Sequence, residues 1–137
     1  MENRYLFRGK RIDNGEWVEG YLSYPFCTKK GNESYYFYAK DSLGFFCRCV
    51  VDASTICQCT GLKDKNGELI WENDICDRKE EYPEIVKYNN GDWILDYSYS
   101  KGKESGYCYC NLGFYALERK YVEVIGNIFD NPELLEV

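Results

Sequence analysis

The stretch Thr60-Gly61-Leu62-Lys63-Asp64-Lys65-Asn66-Gly67-Glu68-Leu69-Ile70-Trp71-Glu72-Asn73-Asp74-Ile75 constrains the fold more than any other part of the chain. Asp64-Lys65-Asn66-Gly67 is a tight turn, because Asn and Gly tolerate the positive φ that a two-residue hairpin or a type I turn with a bulge demands. Leu69, Ile70 and Trp71 form a short apolar run. Glu72-Asn73-Asp74 makes a second turn, and Ile75-Cys76 begins a new extended segment. Two sharp turns around a short apolar run make a compact corner, suited to carrying a strand from one part of a small barrel to another. The stretch holds no catalytic set. It specifies a shape rather than a reaction.

The same punctuation recurs elsewhere. Asn-Gly appears at Asn14-Gly15, Asn66-Gly67 and Asn90-Gly91, each between strand-like runs, with no wider internal period. Residues 5–10 read as a first strand and residues 16–23 as its partner across Asp13-Asn14-Gly15. In that partner Trp17, Glu19 and Tyr21 alternate with Val18, Gly20 and Leu22, so neither face is purely apolar, as in a ribbon lying across another element. A polar loop, Lys29-Lys30-Gly31-Asn32, leads to a tyrosine-dense strand over 34–39. Asp41-Ser42-Leu43-Gly44 turns into a strand over 45–51, where Phe45, Cys47, Cys49 and Val51 share one face and Phe46, Arg48, Val50 and Asp52 the other. Beyond the central stretch, 78–82 reads as a charged loop, 84–88 as a strand, and 93–99 as its return with a half-buried alternation of Trp93, Leu95, Tyr97 and Tyr99. A polar loop over 100–106, a strand over 107–112, a helical turn over 114–120 and a strand over 121–128 follow. Asn131 stands at the N-cap of a short terminal helix, with Pro132 at its first position and Glu133 favourable to its dipole.

Composition bounds the partners. At 137 residues the chain is one domain, or a compact domain with an N-terminal extension. Its 14 Tyr, 7 Phe, 3 Trp and 12 Gly favour strands joined by tight turns. The net charge is −6, from 17 basic and 23 acidic residues, whereas nucleic-acid binders normally present a positive surface. The cluster Arg4, Arg8, Lys10 and Arg11 reads as a solvated strand edge, where charges block unwanted pairing. There is no apolar leader and no run long enough to cross a bilayer, so a soluble cytoplasmic protein is expected. Its eight cysteines are then expected as thiols.

The central stretch, through Thr60, Gly61, Leu62, Asp64, Asn66 and Gly67 and then Glu72, Asn73, Asp74 and Ile75, resembles the central motif of the YopX family of phage and prophage proteins. Arg4-Tyr5-Leu6-Phe7-Arg8-Gly9-Lys10 with Asn14-Gly15-Glu16-Trp17-Val18-Glu19-Gly20 resembles that family's N-terminus. Val124-Ile125-Gly126-Asn127-Ile128-Phe129 with Asn131-Pro132-Glu133-Leu134-Leu135 resembles its C-terminus. The family usually reads Glu-Gly-Asp where this chain has Glu72-Asn73-Asp74, and Asn is the next best residue for a left-handed turn. The resemblance implies a small SH3-like β-barrel in a bacterial host cell and implies no activity or cofactor.

Three constellations offer chemistry. The pairs Cys47/Cys49, Cys57/Cys59 and Cys108/Cys110 each put two thiols on one side of a strand, and two such pairs on neighbouring strands can hold a tetrahedral zinc. Structural zinc usually uses Cys-x-x-Cys turns, which are absent, so packed core cysteines are the simpler reading, with Cys27 and Cys76 alone. No histidine is present to activate a nucleophile. The carboxylates Asp64, Glu72, Asp74 and Asp77 can act as an acid–base pair only if they converge, and turn formation accounts for each without a substrate. Finally, Tyr35, Tyr36, Phe37 and Tyr38, or Tyr97, Tyr99, Tyr107 and Tyr109, can form a stacking platform for single strands, or more ordinarily a protein contact.

The sequence therefore predicts a mainly β protein: an N-terminal β region over 1–52 and an SH3-like barrel over 53–137, ending in a short helical turn. The function expected first is a non-enzymatic phage accessory protein that binds another protein or a second copy of itself, through the uncharged strand Tyr35-Tyr36-Phe37-Tyr38. A nucleic-acid-binding barrel ranks second and a carboxylate enzyme third. Catalytic, metal and cofactor residues are expected to be absent. Thiol titration of the denatured chain is expected to find all eight cysteines reduced, with no zinc by elemental analysis. One zinc per chain, lost together with the fold on chelation, would overturn this.

Overall fold

A computed structural model of the chain describes residues 3–25, 35–40, 43, 45–100 and 109–136. The polar loops expected at 29–32 and 101–106, and Cys27 and Cys108, lie outside the described residues. Short runs of β-formers between turn residues give the strands β1 (Phe7–Lys10), β2 (Trp17–Pro25), β3 (Tyr35–Lys40), β4 (Phe46–Val51), β5 (Cys57–Lys63), β6 (Leu69–Trp71), β7 (Asp74–Asp77), β8 (Glu84–Asn89), β9 (Asp92–Asp96), β10 (Tyr109–Asn111) and β11 (Glu123–Asn127). Among the described residues, helical structure is limited to 3-10 turns and the short helical stretch over 112–118, which is π-helical over Phe114–Glu118. Two antiparallel sheets result, in the orders β4-β3-β2-β1-β5-β6 and β10-β9-β8-β7-β11. The chain divides into Met1–Cys59 and Thr60–Val137, and the division falls inside β5.

In the first unit the expected ribbon is a four-strand meander. β1 pairs with β2, placing Phe7 opposite Gly20 and Lys10 opposite Trp17. β3 pairs with β2 on one side and with β4 on the other. Alternation turns Phe37, Ala39, Cys49 and Val51 inward, where they are buried. Ile12 donates to Val50 O at 3.1 Å and Asp52 to Lys10 O at 2.8 Å, so the end of β4 is tied back to the end of β1. Gly20 is required where β2 passes β3, because a Cβ there would clash with the Tyr38 carbonyl oxygen. The segment Tyr35–Lys40 is therefore an interior strand, hydrogen-bonded on both sides, and its backbone offers no open edge. Phe37 is a core residue and Tyr38 faces outward; the Tyr36 side chain lies outside the described residues.

In the second unit Ile70, Cys76, Val86, Leu95, Leu112, Ala116 and Val122 form the core. Asp64 organises the hairpin beside it. Its Oδ1 accepts the amides of Asn66 at 2.9 Å and Glu68 at 3.0 Å, and its Oδ2 accepts the amide of Val124 at 3.0 Å. Gly67 sits at φ 82° and Asn73 at φ 69°, so both turns take the left-handed conformation their residues suit. Asn73 also donates to Val86 O at 2.8 Å and accepts from Ile128 at 3.1 Å, stitching the second corner to β8 and to the segment after β11. Asn131 does not cap the terminal helix with its side chain. Its Oδ1 accepts the Asn127 amide at 3.2 Å instead, packed where a Cβ on Gly126 would lie. On β9 the expected half-buried alternation fails: the successive residues Ile94 and Leu95 are both buried, so both faces are covered.

The expected SH3-like barrel over 53–137 is not a closed barrel. Among the described residues the five-strand sheet is open, with β10 and β11 at its edges. Closure needs the two edge strands to pair with each other, and among the described residues β10 pairs with β9 and β11 with β7, with no ladder between β10 and β11.

Gly67→Val is expected to destabilise the fold by about 1–3 kcal/mol, from backbone strain alone, since nothing lies within 4 Å of the added Cβ. Asp64→Ala should cost about 3 kcal/mol or more, because it also leaves the Val124 amide without its acceptor. Urea unfolding of the two variants checks the order; a smaller loss for Asp64→Ala would mean that the carboxylate does not hold β11.

Candidate functional site

The period-two alternation that fills the first unit's core sends a second set of side chains to the opposite face. Tyr21 on β2 is paired with Tyr38 on β3, and Tyr38 with Arg48 on β4, so the three lie in one row across adjacent strands. Tyr38 is 46% and Phe46 65% exposed. In the neighbouring rows Arg8 is paired with Glu19, and Lys10 with Trp17. The guanidinium of Arg8 lies 4.7 Å from the Trp17 ring centroid and the Lys10 ammonium 5.4 Å from it. Cations over an indole face are held by the ring quadrupole, which orders these long side chains on the sheet. Leu6, Arg8, Trp17, Glu19, Tyr21, Tyr38 and Phe46 line an open depression of about 700 Å³. Arg8 and Lys10 thus belong to an aromatic face and not to a bare solvated edge. Arg11 does behave as a surface residue, with Nη2 donating to Asp13 Oδ2 at 2.7 Å.

The charge is unevenly shared. Residues 1–59 carry eight Lys or Arg and seven Asp or Glu, a net +1, and residues 60–137 carry nine and sixteen, a net −7. The overall acidity is a property of the second unit.

The model of the YopX protein family matches residues 6–136, nearly the whole chain. The chain belongs to the YopX family. No curated protein matches the sequence. Among solved structures it is similar to the crystal structure of protein EF1440 from Enterococcus faecalis, with a TM-score of 0.55 and 26% identity over 95% of this chain and 96% of that one.

In this YopX-family chain the residues of the central motif are brought together as a scaffold. Thr60 Oγ1 donates to Ile70 O at 2.8 Å and accepts from the Leu62 amide at 3.1 Å, with Gly61 between them at φ 81°. Asp74 is 2% exposed and its Oδ2 accepts the Trp71 amide at 2.8 Å, closing the Glu72-Asn73 turn. Ile75 is fully buried. Asn127 Oδ1 accepts the amides of Phe129 and Asp130, and Pro132 opens the terminal 3-10 turn. Each of Asp64 and Asp74 is occupied by backbone amides. Among the described residues no group of three or more Cys, Asp or Glu is placed to hold a metal. Cys47 and Cys49 do share a side of β4, with sulfurs 3.7 Å apart. Cys76 is buried, and burial pushes its thiol well above the ordinary range.

One polar site escaped the sequence reading. Arg78, placed in a charged loop, is buried with Glu84 at the start of β8. Arg78 Nε donates to Glu84 Oε1 at 2.5 Å, Nη1 to Glu80 at 2.9 Å and Nη2 to Cys110 Sγ at 3.0 Å, and the guanidinium lies 4.4 Å from the Tyr115 ring centroid. Glu84 is 1% exposed and its Oε2 has no hydrogen-bond partner among the described residues. Burial pushes the Glu84 carboxyl up to about 6, against the lowering effect of Arg78. Only the apolar residues that follow it, Ile85 and Val86, hinted at burial in the sequence.

A carboxyl raised in the folded state binds its proton more tightly there than in the unfolded chain. Its contribution is therefore greatest below the ordinary value of 4.5 and is lost as pH rises through about 6. The chain should gain stability between pH 7 and pH 5 relative to Glu84→Gln, by about 1–2 kcal/mol. Parallel thermal melts of the two proteins at each pH measure the difference; parallel curves would show that Glu84 does not titrate in this range.

Proposed function

We propose that this YopX-family chain is a non-enzymatic phage or prophage accessory protein that works in the cytoplasm of the host cell and binds a macromolecular partner through the outer face of its N-terminal sheet. The observation that carries the reading is the row Tyr21–Tyr38–Arg48 with Phe46 beside it, large side chains held in the open on three adjacent strands, of which β2 and β3 are paired on both sides and β4 is the sheet edge. Monomeric surfaces seldom gather apolar rings in this way unless they bind something. Aromatic residues and Arg are also the side chains enriched where proteins dock. The engagement of Asp64 and Asp74 in turns favours binding over catalysis. The order β10-β9-β8-β7-β11, with a helical turn before the last strand, supports an SH3-like arrangement of the second unit as the scaffold.

The partner favoured by overall charge is another protein or a second copy of the chain, which would bury Tyr38 and Phe46 in a homo-oligomer. A nucleic acid is the second reading, favoured by the cations Arg8, Lys10 and Arg48 on this face and by the first unit's net +1. The test is retention from host lysate, run with and without nuclease, on immobilised wild type and on Tyr38→Glu/Phe46→Glu. Loss of the retained partner in the variant, with its fold intact by circular dichroism, is expected. Equal retention would place the binding face elsewhere. Light scattering of the free proteins reads the second-copy case directly.

A further inference from the structure

We infer that the outer face of the N-terminal sheet binds single-stranded nucleic acid. The inference rests on that face being the binding surface, and it names the occupant by charge and ring chemistry. Tyr38 and Phe46 stand exposed on adjacent strands, close to diagonal, because Tyr38 is paired with Arg48, two residues along β4 from Phe46. Diagonal neighbours across an antiparallel pair lie about 7–8 Å apart, so successive bases, once unstacked from each other, can each meet a ring. Tyr21 extends the platform on β2.

The cations surround these rings. Arg48 continues the row of Tyr21 and Tyr38 on one side, and Arg8 and Lys10 lie over Trp17 on the other. Phosphates flanking a base on Tyr38 thus meet positive charge in both directions along the sheet. Glu19, paired with Arg8, also lines the depression and is the one carboxylate on its walls among the described residues. It accepts hydrogen bonds, so it suits the exocyclic amino groups of a base and would repel a phosphate placed directly on it. An acidic peptide would satisfy the cations but would leave the rings without flat partners. A duplex hides its base faces and is read by elements that enter a groove, which a sheet face lined with rings does not do. A single strand answers both the rings and the charges, with little dependence on sequence.

The experiment is fluorescence anisotropy of a labelled deoxycytidine strand of about 20 nucleotides, a cytidine strand of equal length and a duplex of equal length, titrated with the full chain at low and at physiological salt. Tighter binding of the single strands than of the duplex is expected. Tyr38→Ala and Phe46→Ala should each weaken it about 5- to 100-fold. Arg48→Ala should lower the salt slope by about 0.7, the value of one phosphate contact. Phe114→Ala, exposed in the second unit, should change nothing. All the substituted side chains are exposed, and circular dichroism confirms that each variant folds. Absence of single-strand binding at low salt, equal binding by the ring variants, or equal affinity for the duplex overturns the inference. If single strands fail while nuclease-resistant retention from lysate is still lost in Tyr38→Glu/Phe46→Glu, the face binds a protein and only the nucleic-acid assignment falls. If retention also persists in that variant, the face itself is wrong.

Discussion

The Asp64 carboxylate is the point from which the second unit is built. Burying a carboxylate is costly unless it is hydrogen-bonded, and Asp64 offsets that cost with three backbone amides. Two belong to its own turn and fix the hairpin between β5 and β6. The third belongs to Val124, so the same anion sets the register of β11, sixty residues away. The backbone reinforces the link, since Lys65 donates to Val122 O at 2.8 Å. Asn73 repeats the device at the second corner, joining β8 and the segment after β11 through its own amide and carbonyl. In this chain the central and terminal motifs thus hold each other, each supplying donors or acceptors that the other leaves open.

Arg78 and Glu84 impose a different constraint. Burying an ion pair costs more desolvation than a single contact returns, and here one carboxylate oxygen receives no donor among the described residues. The carboxyl responds by holding its proton more tightly, to about 6. What the pair secures is position. Arg78 reaches Glu84, Glu80, Cys110 and the Tyr115 ring together, joining the loop after β7 to β10 and to the π-helical turn. A hydrophobic residue at 78 would pack there without choosing among these neighbours, whereas a guanidinium requires each in a set direction.

In the first unit a thin sheet serves two purposes at once. Its inner face is filled by Phe37, Cys49 and Val51, and Gly20 gives β2 room to pass β3. Its outer face carries rings and cations. Because consecutive residues point to opposite sides, the burial of Phe37 is itself what displays Tyr38. The anionic excess lies in the other unit, so an acidic chain can still carry a cationic and aromatic face.

The sequence by itself determined the local geometry. Turns at Asn14-Gly15, Asn66-Gly67 and Asn90-Gly91, the mainly β class, the left-handed Asn73 and the family were all legible, because positive φ and strand period are set by residues adjacent in the chain. The tertiary structure alone decided what depends on distant partners. It placed Tyr35–Lys40 between β2 and β4, so the backbone of that strand is covered within the chain. It left the five-strand sheet open where a closed barrel was expected, redirected Asn131 from capping to the Asn127 amide, and drew Arg78 out of an apparently solvated loop into the core. It also set Arg8 and Lys10 over Trp17. Charge and composition are sums over the chain and carry no information about which side of a sheet a residue occupies; that depends on register, and register is fixed only when non-neighbouring strands pair.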